Sequence, residues 1–232
     1  MKGDFFTFTK TWIITKTTAY FFGYIGALIN VSLVFFYTLF IESNFPNCLQ
    51  VLGYVLLTAH YLKRVLESFY VHRPSTVTMS VFVLIFIGIY YWILGAWVIG
   101  YSIFCPSYSK PNYSHPLIPI ILTVLFLCFE YMNYRCHKIL RDLRPPDSDK
   151  KGIPYGSGFD WVSAANYFWE LCSWMAFACL FRTIAATVFC ILGFFAMVFP
   201  AMSSHKWYNE YFDGKKNRKY PQNRKAMIPL IL

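Results

Sequence analysis

Asn166-Tyr167-Phe168-Trp169-Glu170-Leu171-Cys172-Ser173-Trp174 places an amide and a carboxylate inside an apolar segment. Asn166 and Glu170 are four residues apart, so on a helix their side chains lie on the same face. A carboxylate in hydrocarbon costs several kcal/mol unless it accepts hydrogen bonds or is protonated. The pair therefore predicts a polar contact inside a membrane helix, made either to a bound ligand or to a neighbouring helix through a residue such as Arg141 or His137.

The composition is that of a membrane protein. Of the 232 residues, 57% are hydrophobic and 14% are charged, whereas a soluble domain carries about a quarter charged residues. The uncharged run from Met79 to Phe104 exceeds the roughly 20 residues that cross a bilayer. Residues 1–18 are polar, and we expect no cleavable signal peptide there. The fold class predicted is an all-α, polytopic membrane protein.

Six apolar segments predict about six transmembrane helices. A short tail at 1–16 is expected to precede one membrane domain at 17–232, which ends in a basic tail. The predicted helices cover approximately 17–41, 48–66, 79–104, 116–140, 161–181 and 183–202.

The distribution of charge agrees with six spans. All lysines and arginines except Lys110 and Arg182 fall on the side that holds both termini, as the positive-inside rule requires of a cytosolic or matrix side. The net charge of +10 is therefore explained mainly by topology, with a share left for a phosphorylated ligand or anionic lipid. Asn112-Tyr113-Ser114 is a glycosylation sequon on the opposite side, used or unused.

The seven cysteines show no Cys-x-x-Cys spacing, and most fall in apolar segments. Cysteines in such surroundings are typically small buried hydrophobic residues. We therefore predict neither a disulfide framework nor a metal site.

Several motifs surround the opening stretch in a fixed order. Leu140-Arg141-Asp142-Leu143-Arg144-Pro145 and Ile153-Pro154-Tyr155-Gly156 precede it, and His60-Tyr61-Leu62-Lys63-Arg64-Val65-Leu66-Glu67 and Val71-His72-Arg73 lie upstream. This order, from about residue 19 to 232, resembles the steroid 5α-reductase family, in particular its trans-2-enoyl-CoA reductase branch. The resemblance implies NADPH-dependent reduction of a C=C bond conjugated to a carbonyl, as in the last step of very-long-chain fatty acid elongation.

A polar stripe on the fourth segment is a candidate cofactor site. Asn133, His137 and Arg141 recur at four-residue spacing, with Arg144 close behind. Amide, imidazole and guanidinium groups suit a nicotinamide, a ribose and phosphates, although a snorkelling helix end has the same pattern. No Gly-x-Gly-x-x-Gly element is present, so a Rossmann fold is not predicted. The resemblance assigns NADPH contacts to Arg73, Asn133, His137, Arg144, Asn166, Glu170, His205 and Tyr208.

The resemblance also assigns catalytic roles to Tyr61 and Tyr167. Hydride transfer to the β-carbon of an α,β-unsaturated carbonyl develops negative charge on the carbonyl oxygen, which a phenol can stabilise by donating a hydrogen bond. Tyr167 can equally be an aromatic of the membrane interface. The glutamate that works with the tyrosine in relatives has no counterpart here, because Gly23 stands at its position. Losing one such donor costs about 10²–10³ in rate.

Three functions remain open from the sequence. The first is an NADPH-dependent trans-2-enoyl-CoA reductase; the second is a steroid or polyprenol reductase. The third is a catalytically reduced relative that serves as a structural subunit of a larger membrane complex, such as a mitochondrial respiratory complex. Reductases of this branch carry a ubiquitin-like domain before the membrane part, which 1–16 cannot accommodate, so the chain is expected to represent the membrane domain.

Expected partners and location follow from these functions. Membrane lipids, an acyl-CoA or another lipid substrate and other membrane-protein subunits are expected partners, and nucleic acid is not. The endoplasmic reticulum is the expected membrane, with the mitochondrial inner membrane as the alternative.

Overall fold

The computed structural model describes residues 13–71, 78–143, 152–214 and 219–232. The chain divides into two compact units, Met1–Lys110 and Pro111–Leu232. Two residues predicted to bind the cofactor, Arg73 and Arg144, lie outside the described residues.

The first unit consists of a short two-stranded sheet and several helices. Strand β1 (Ile13–Thr15) pairs antiparallel with strand β2 (Thr78–Ser80). The helices are α1 (Lys16–Phe40), α2 (Cys48–Tyr70), α3 (Val81–Gly88) and α4 (Ile99–Phe104), with a π-helical stretch, Ile89–Val98, joining α3 to α4. Helix α1 packs along both α2 and the π-helical stretch.

The start of α2 is fixed by amide side chains. Asn47 and Gln50 form a capping box, in which each side chain bonds the backbone N–H of the other. The buried Gln50 amide also donates to the carbonyl oxygens of Ile103 (2.9 Å) and Cys105 (3.1 Å). One side chain therefore begins α2 and satisfies carbonyl groups at the end of α4.

Two glycines of α1 form a notch for the π-helical stretch. The indole nitrogen of Trp92 donates to the carbonyl oxygen of Gly23 at 2.9 Å. A Cβ atom at Gly26 would lie 2.3 Å from the Trp92 ring. The absence of a side chain at Gly26 allows the tryptophan to lie against the α1 backbone, and its absence at Gly23 leaves room for Ile87.

The second unit contains three long helices. They are α5 (Leu117–Asp142), α6 (Ala165–Phe181) and α7 (Ile184–Tyr211). Helix α6 packs against both α5 and α7. The C-terminal segment 219–232 joins the start of α6, where the N–H groups of Ser163 and Ala164 donate to the carbonyls of Lys225 (2.8 Å) and Ala226 (3.0 Å).

Helix α6 ends at Arg182, whose backbone is left-handed with φ of 51°. The Arg182 guanidinium lies 4.9 Å from the centre of the Tyr113 ring, and the Tyr113 hydroxyl donates to the carbonyl oxygen of Leu180. Burial raises the pKa of Tyr113, the Arg182 charge opposing it, so the phenol is a neutral donor at pH 7. The loop before α5 is thereby attached to the end of α6.

The structure confirms the all-α fold class, and each of the six predicted segments corresponds to helix. Among the described residues, four helices are long and apolar enough to cross a membrane: Thr18–Phe40, Phe82–Phe104, Leu117–Asp142 and Ile184–Tyr211. Helix α2 carries Lys63, Arg64 and Glu67, and α6 has 17 residues. The number of six spans therefore stays a prediction, as do the predicted domain boundaries.

The bounds of two helices differ from the expected ones. Helix α6 begins at Ala165, not near 161, because 156–164 forms a series of turns. Gly156 and Gly158 have φ values of 76° and 96° in these turns, which favour glycine. Helix α7 continues to Tyr211, beyond the predicted end near 202, and so carries the predicted residues His205 and Tyr208 on its last turns.

Candidate functional site

Three predicted cofactor residues meet where α5 packs on α6. Asn133 is fully buried. Its Nδ2 donates to the backbone oxygen of Asn166 at 2.8 Å and to Oε2 of Glu170 at 3.4 Å. Asn133 of the α5 stripe therefore faces the Glu170 carboxylate and the backbone of Asn166 on α6. The contact between helices is made by Asn133, whereas the sequence had suggested Arg141 or His137 as the partner, and the hydrogen bond offsets part of the hydration that the carboxylate loses.

The turn before α6 is held over the same helices. The carbonyl oxygen of Ser157 accepts hydrogen bonds from Sγ of Cys136 (3.2 Å) and Nε1 of Trp169 (2.8 Å). His137, which follows Cys136 on α5, is buried with 6% exposure. A Cβ at Gly158 would lie 3.0 Å from the Trp169 indole nitrogen, so glycine there permits the close approach of turn and helix.

Two further predicted residues, His205 and Tyr208, belong to a polar and aromatic cluster on α7. Nδ1 of His205 lies 2.6 Å from the Ser163 hydroxyl, which accepts a hydrogen bond from Tyr220 at 2.8 Å. The Tyr208 ring stacks on the Tyr220 ring at 5.1 Å with an interplanar angle of 9°. Tyr208 is 3% exposed, so its ring is a packing surface of this cluster.

Hydrogen bonds determine the tautomer of His205. The Asn209 amide nitrogen donates to the backbone oxygen of His205 at 3.0 Å, and its amide oxygen accepts from Gln222 at 3.3 Å. The same nitrogen lies 3.1 Å from Nε2 of His205, which makes Nε2 an acceptor and leaves the proton on Nδ1. His205 therefore donates to Ser163. It does not accept the Ser163 proton, so the pair lacks the arrangement of a nucleophile with its base.

A shallow cavity of about 540 Å³ adjoins this cluster. His205, Lys206, Lys225 and Ser203 contribute its polar lining. The two ammonium groups are suitable donors for an anionic group.

Tyr167 lies on a different face of α6 from the amide–carboxylate pair. It packs against an apolar cluster that contains Ala164, Leu171, Ala201 and Met227. The catalytic role predicted for Tyr167 stays a prediction.

Arg224 is a buried cation that sequence reasoning assigned to the basic tail. Its residue exposure is 3%, and Nη1 donates to the carbonyl oxygen of Pro154 at 2.9 Å. Its guanidinium lies 4.7 Å from the Tyr155 ring centre and 5.2 Å from that of Tyr220. In the described part of the chain it contacts no carboxylate. No sequence signal separates it from the exposed neighbour Lys225.

The predicted catalytic Tyr61 belongs to the first unit. It is fully buried on α2. Its ring lies 5.1 Å from that of His60 and 6.5 Å from that of Tyr91. Tyr61 therefore sits in a buried aromatic cluster made by α2 and the π-helical stretch.

Position 23 is closed by packing. A Cβ at Gly23 would lie 2.7 Å from Cγ2 of Ile87 and 3.4 Å from the Tyr91 ring. No carboxylate fits there unless Ile87 moves, so Gly23 is a helix-packing residue in this chain.

No group of three or more His, Cys, Asp or Glu side chains suited to a metal occurs among the described residues. Long apolar helices that surround the buried Asn133 amide and the half-buried Glu170 carboxylate define an integral membrane protein with an internal polar site.

Comparison with known proteins gives the family. The profile of the family described as 3-oxo-5-alpha-steroid 4-dehydrogenase matches residues 77–232. A Schizosaccharomyces pombe protein provisionally named an enoyl reductase is 35% identical over 221 residues, which cover 93% of this chain and 72% of that protein. The chain belongs to the steroid 5α-reductase family.

Two further relatives differ in their named activities. The very-long-chain enoyl-CoA reductase of Dictyostelium discoideum is 35% identical over 184 residues, covering 79% of this chain and 58% of that protein. The 3-oxo-5-alpha-steroid 4-dehydrogenase 1 of Rattus norvegicus is 30% identical over 193 residues, covering 82% of this chain and 70% of that protein. The similarity to proteins named enoyl reductases supports reduction of a C=C bond, and it leaves the substrate open.

Proposed function

We propose that the protein is an NADPH-dependent reductase of α,β-unsaturated acyl thioesters, with a long-chain trans-2-enoyl-CoA of fatty acid elongation as its substrate. The observation that carries the proposal is the contact of Asn133 with Asn166 and Glu170 between α5 and α6. Buried polar groups in membrane helices mark sites of function when they have a named partner.

The residues of the second unit fit the cofactor. The Glu170 carboxylate is an acceptor for a carboxamide N–H group, and Asn133 holds that carboxylate on the α5 face of α6. Lys206 and Lys225 beside His205 offer donors for phosphate groups. When bound, NADPH supplies the hydride. Arg73 and Arg144 are further candidates for phosphate contacts, as the family resemblance implies.

Tyr61 supports the chemical step in this proposal. Its phenol donates a hydrogen bond to the thioester carbonyl oxygen, where negative charge develops as the β-carbon is reduced. A phenol is protonated at neutral pH and can make this bond without a change of ionisation.

An NADPH-oxidation assay on the purified protein with a long-chain trans-2-enoyl-CoA tests the proposal. We expect turnover by the wild type and a loss of about 10²-fold or more in kcat/KM for Tyr61→Phe and for Glu170→Gln. Glu42→Gln is the matched control, because Glu42 lies in the loop between α1 and α2, where it accepts a hydrogen bond from Tyr101 at 2.9 Å. A silent wild type, or equal losses in all three variants, would contradict the proposal.

A steroid or a polyprenol carbonyl compound is the alternative substrate class within the same reaction. Replacing the enoyl-CoA by a 3-oxo-4-ene steroid or by a polyprenal in the same assay distinguishes these classes. If kcat/KM is higher for the steroid or for the polyprenal than for the enoyl-CoA, the substrate that we propose is wrong.

The closed position at Gly23 favours a second candidate function, that of a structural subunit in a larger membrane complex. A chain with no carboxylate at that position can keep the fold and the cofactor site without fast turnover. In that case the wild type oxidises no NADPH, but NADPH still raises its thermal unfolding temperature. The protein also copurifies with other membrane subunits at fixed stoichiometry. Residence in the endoplasmic reticulum belongs to the first function and residence in the mitochondrial inner membrane to the second.

A further inference from the structure

A buried ion pair lies one turn from Tyr61 on α2. Nη1 of Arg64 donates to Oε2 of Glu67 at 2.7 Å, and the two side chains are 8% and 1% exposed. Nζ of Lys63 lies 3.8 Å from the other oxygen of Glu67. Removing two charges from water costs more than most such pairs return in stability. Ionisable side chains buried in a membrane domain therefore point to function.

The same guanidinium holds a second phenol. Nη2 of Arg64 donates to the hydroxyl oxygen of Tyr24 on α1 at 2.6 Å. Because a guanidinium has donors and no acceptor, the phenol oxygen accepts this bond and the phenol proton is directed away from Arg64. A charged donor on the oxygen also polarises the O–H bond and strengthens the hydrogen bond that the phenol itself gives.

Tyr24 and Tyr61 belong to one buried cluster. The Tyr91 ring lies 5.1 Å from the Tyr24 ring and 6.5 Å from the Tyr61 ring. Tyr24 is 2% exposed, and Tyr61 is fully buried. Two phenols, one of them polarised by a cation, are thus placed around the same aromatic residue, next to the position that Gly23 leaves without a carboxylate.

We infer that Tyr24 is a catalytic residue, the second hydrogen-bond donor to the substrate carbonyl oxygen, and that Arg64 and Glu67 are its positioning residues. The inference rests on the proposed reductase function. As the hydride and its electron pair add to the β-carbon, the π electrons move toward the carbonyl oxygen, which accepts hydrogen bonds from Tyr61 and Tyr24. The α-carbon then takes a proton from the medium and the C=O bond is restored. No covalent bond of Tyr24 forms or breaks.

Tyr24→Phe removes the donor and keeps the ring. In single-turnover assays with NADPH and a trans-2-enoyl-CoA, we expect a fall of about 10²-fold in the rate of hydride transfer with an unchanged Kd for NADPH. Tyr20→Phe is the matched control, because Tyr20 stacks on Tyr24 from one turn away on α1, with ring centres 6.0 Å apart. Wild-type rates in Tyr24→Phe would overturn the inference.

A double-mutant cycle separates positioning from general stability. Arg64→Met should slow hydride transfer in the wild type and change it less than about two-fold in the Tyr24→Phe background, because its effect passes through Tyr24. If Arg64→Met does not fold, Arg64→Lys replaces it, since an ammonium keeps the charge near Glu67 and loses the planar fork that bonds both partners. Equal fold-losses in both backgrounds would show that Arg64 acts independently of Tyr24.

The wild type distinguishes failure of this inference from failure of the proposed function. An active wild type with a fully active Tyr24→Phe variant refutes the role of Tyr24 alone. A wild type silent toward enoyl-CoA, steroid and polyprenal refutes the reductase function and this inference with it.

Discussion

At the scale of single residues, the contact of Asn133 with Glu170 is the feature on which the proposed function rests. The amide N–H of Asn133 donates to the Glu170 carboxylate, whereas two ionised carboxylates would have no donor between them. The contact can therefore be tested by exchanging the amide and the carboxylate between positions 133 and 170.

We predict that Asn133→Asp destabilises the protein by about 1–3 kcal/mol, because the half-buried Glu170 carboxylate loses its donor and two carboxylates then face each other. Adding Glu170→Gln to this variant restores an amide–carboxylate pair and should recover part of the loss. Thermal unfolding in detergent, with and without NADPH, measures both effects. If the double variant is less stable than Asn133→Asp, the two side chains do not act as a pair.

At the scale of elements, the packing of α1 against the π-helical stretch depends on glycine. Gly23 and Gly26 lie one turn apart and allow Trp92 and Ile87 to approach the α1 backbone. A π-helical segment of ten residues inside a membrane helix is unusual, since such segments are mostly single turns and often occur at functional sites. Here the segment carries Tyr91, which contacts both phenols of the buried cluster.

We predict opposite effects for two glycine-to-alanine changes in this region. Gly26→Ala should cost about 1–3 kcal/mol, because its Cβ would lie 2.3 Å from Trp92. Gly88→Ala, whose Cβ would approach Trp92 only to 3.8 Å, should be neutral or stabilise α3 by up to about 1 kcal/mol.

Unfolding temperatures of both variants measure these effects, and Trp92→Leu in the Gly26→Ala background should restore part of the loss. Equal unfolding temperatures for Gly26→Ala and Gly88→Ala would show that the notch does not limit packing.

At the scale of the whole molecule, the distribution of charge predicts the orientation in the membrane. The loop that contains Asn112 is predicted to be lumenal. The Asn112 side chain is exposed, and its backbone oxygen accepts a hydrogen bond from Arg182 at 3.3 Å.

We predict that Asn112 carries an N-linked glycan when the protein resides in the endoplasmic reticulum. An endoglycosidase-sensitive shift in gel mobility, absent in Asn112→Gln, is the measurement. Lys219→Thr introduces a sequon on the predicted cytosolic side and should add no glycan. A glycan on the Lys219→Thr variant would show that the orientation is opposite to the predicted one. If neither sequon is glycosylated and the protein is found in the mitochondrial fraction, the result would favour the structural-subunit function.

Much of the candidate site was predictable because it is local. The four-residue spacing of Asn133 and His137, and that of Asn166 and Glu170, places side chains on one helix face whatever the surrounding fold. The contact across α5 and α6 was foreseen only as one of two possibilities, since the rotation of each helix about its axis depends on all of its packing partners. Tyr167 shows this limit, because its ring turns toward α7.

The sequence by itself determined the membrane class, the helical segments, the family and the local polar pattern, since charge content, apolar length and helical spacing are properties of short stretches. Only the tertiary structure decided that Gly23 is closed by Ile87, that Arg224 is buried between two tyrosines and that Arg64 holds Tyr24. Each of these facts includes a contact between residues 40 or more positions apart in the chain: Gly23 with Ile87, Arg224 with Tyr155, and Arg64 with Tyr24. Contacts of that kind are set by the close packing of whole helices, which no local pattern encodes.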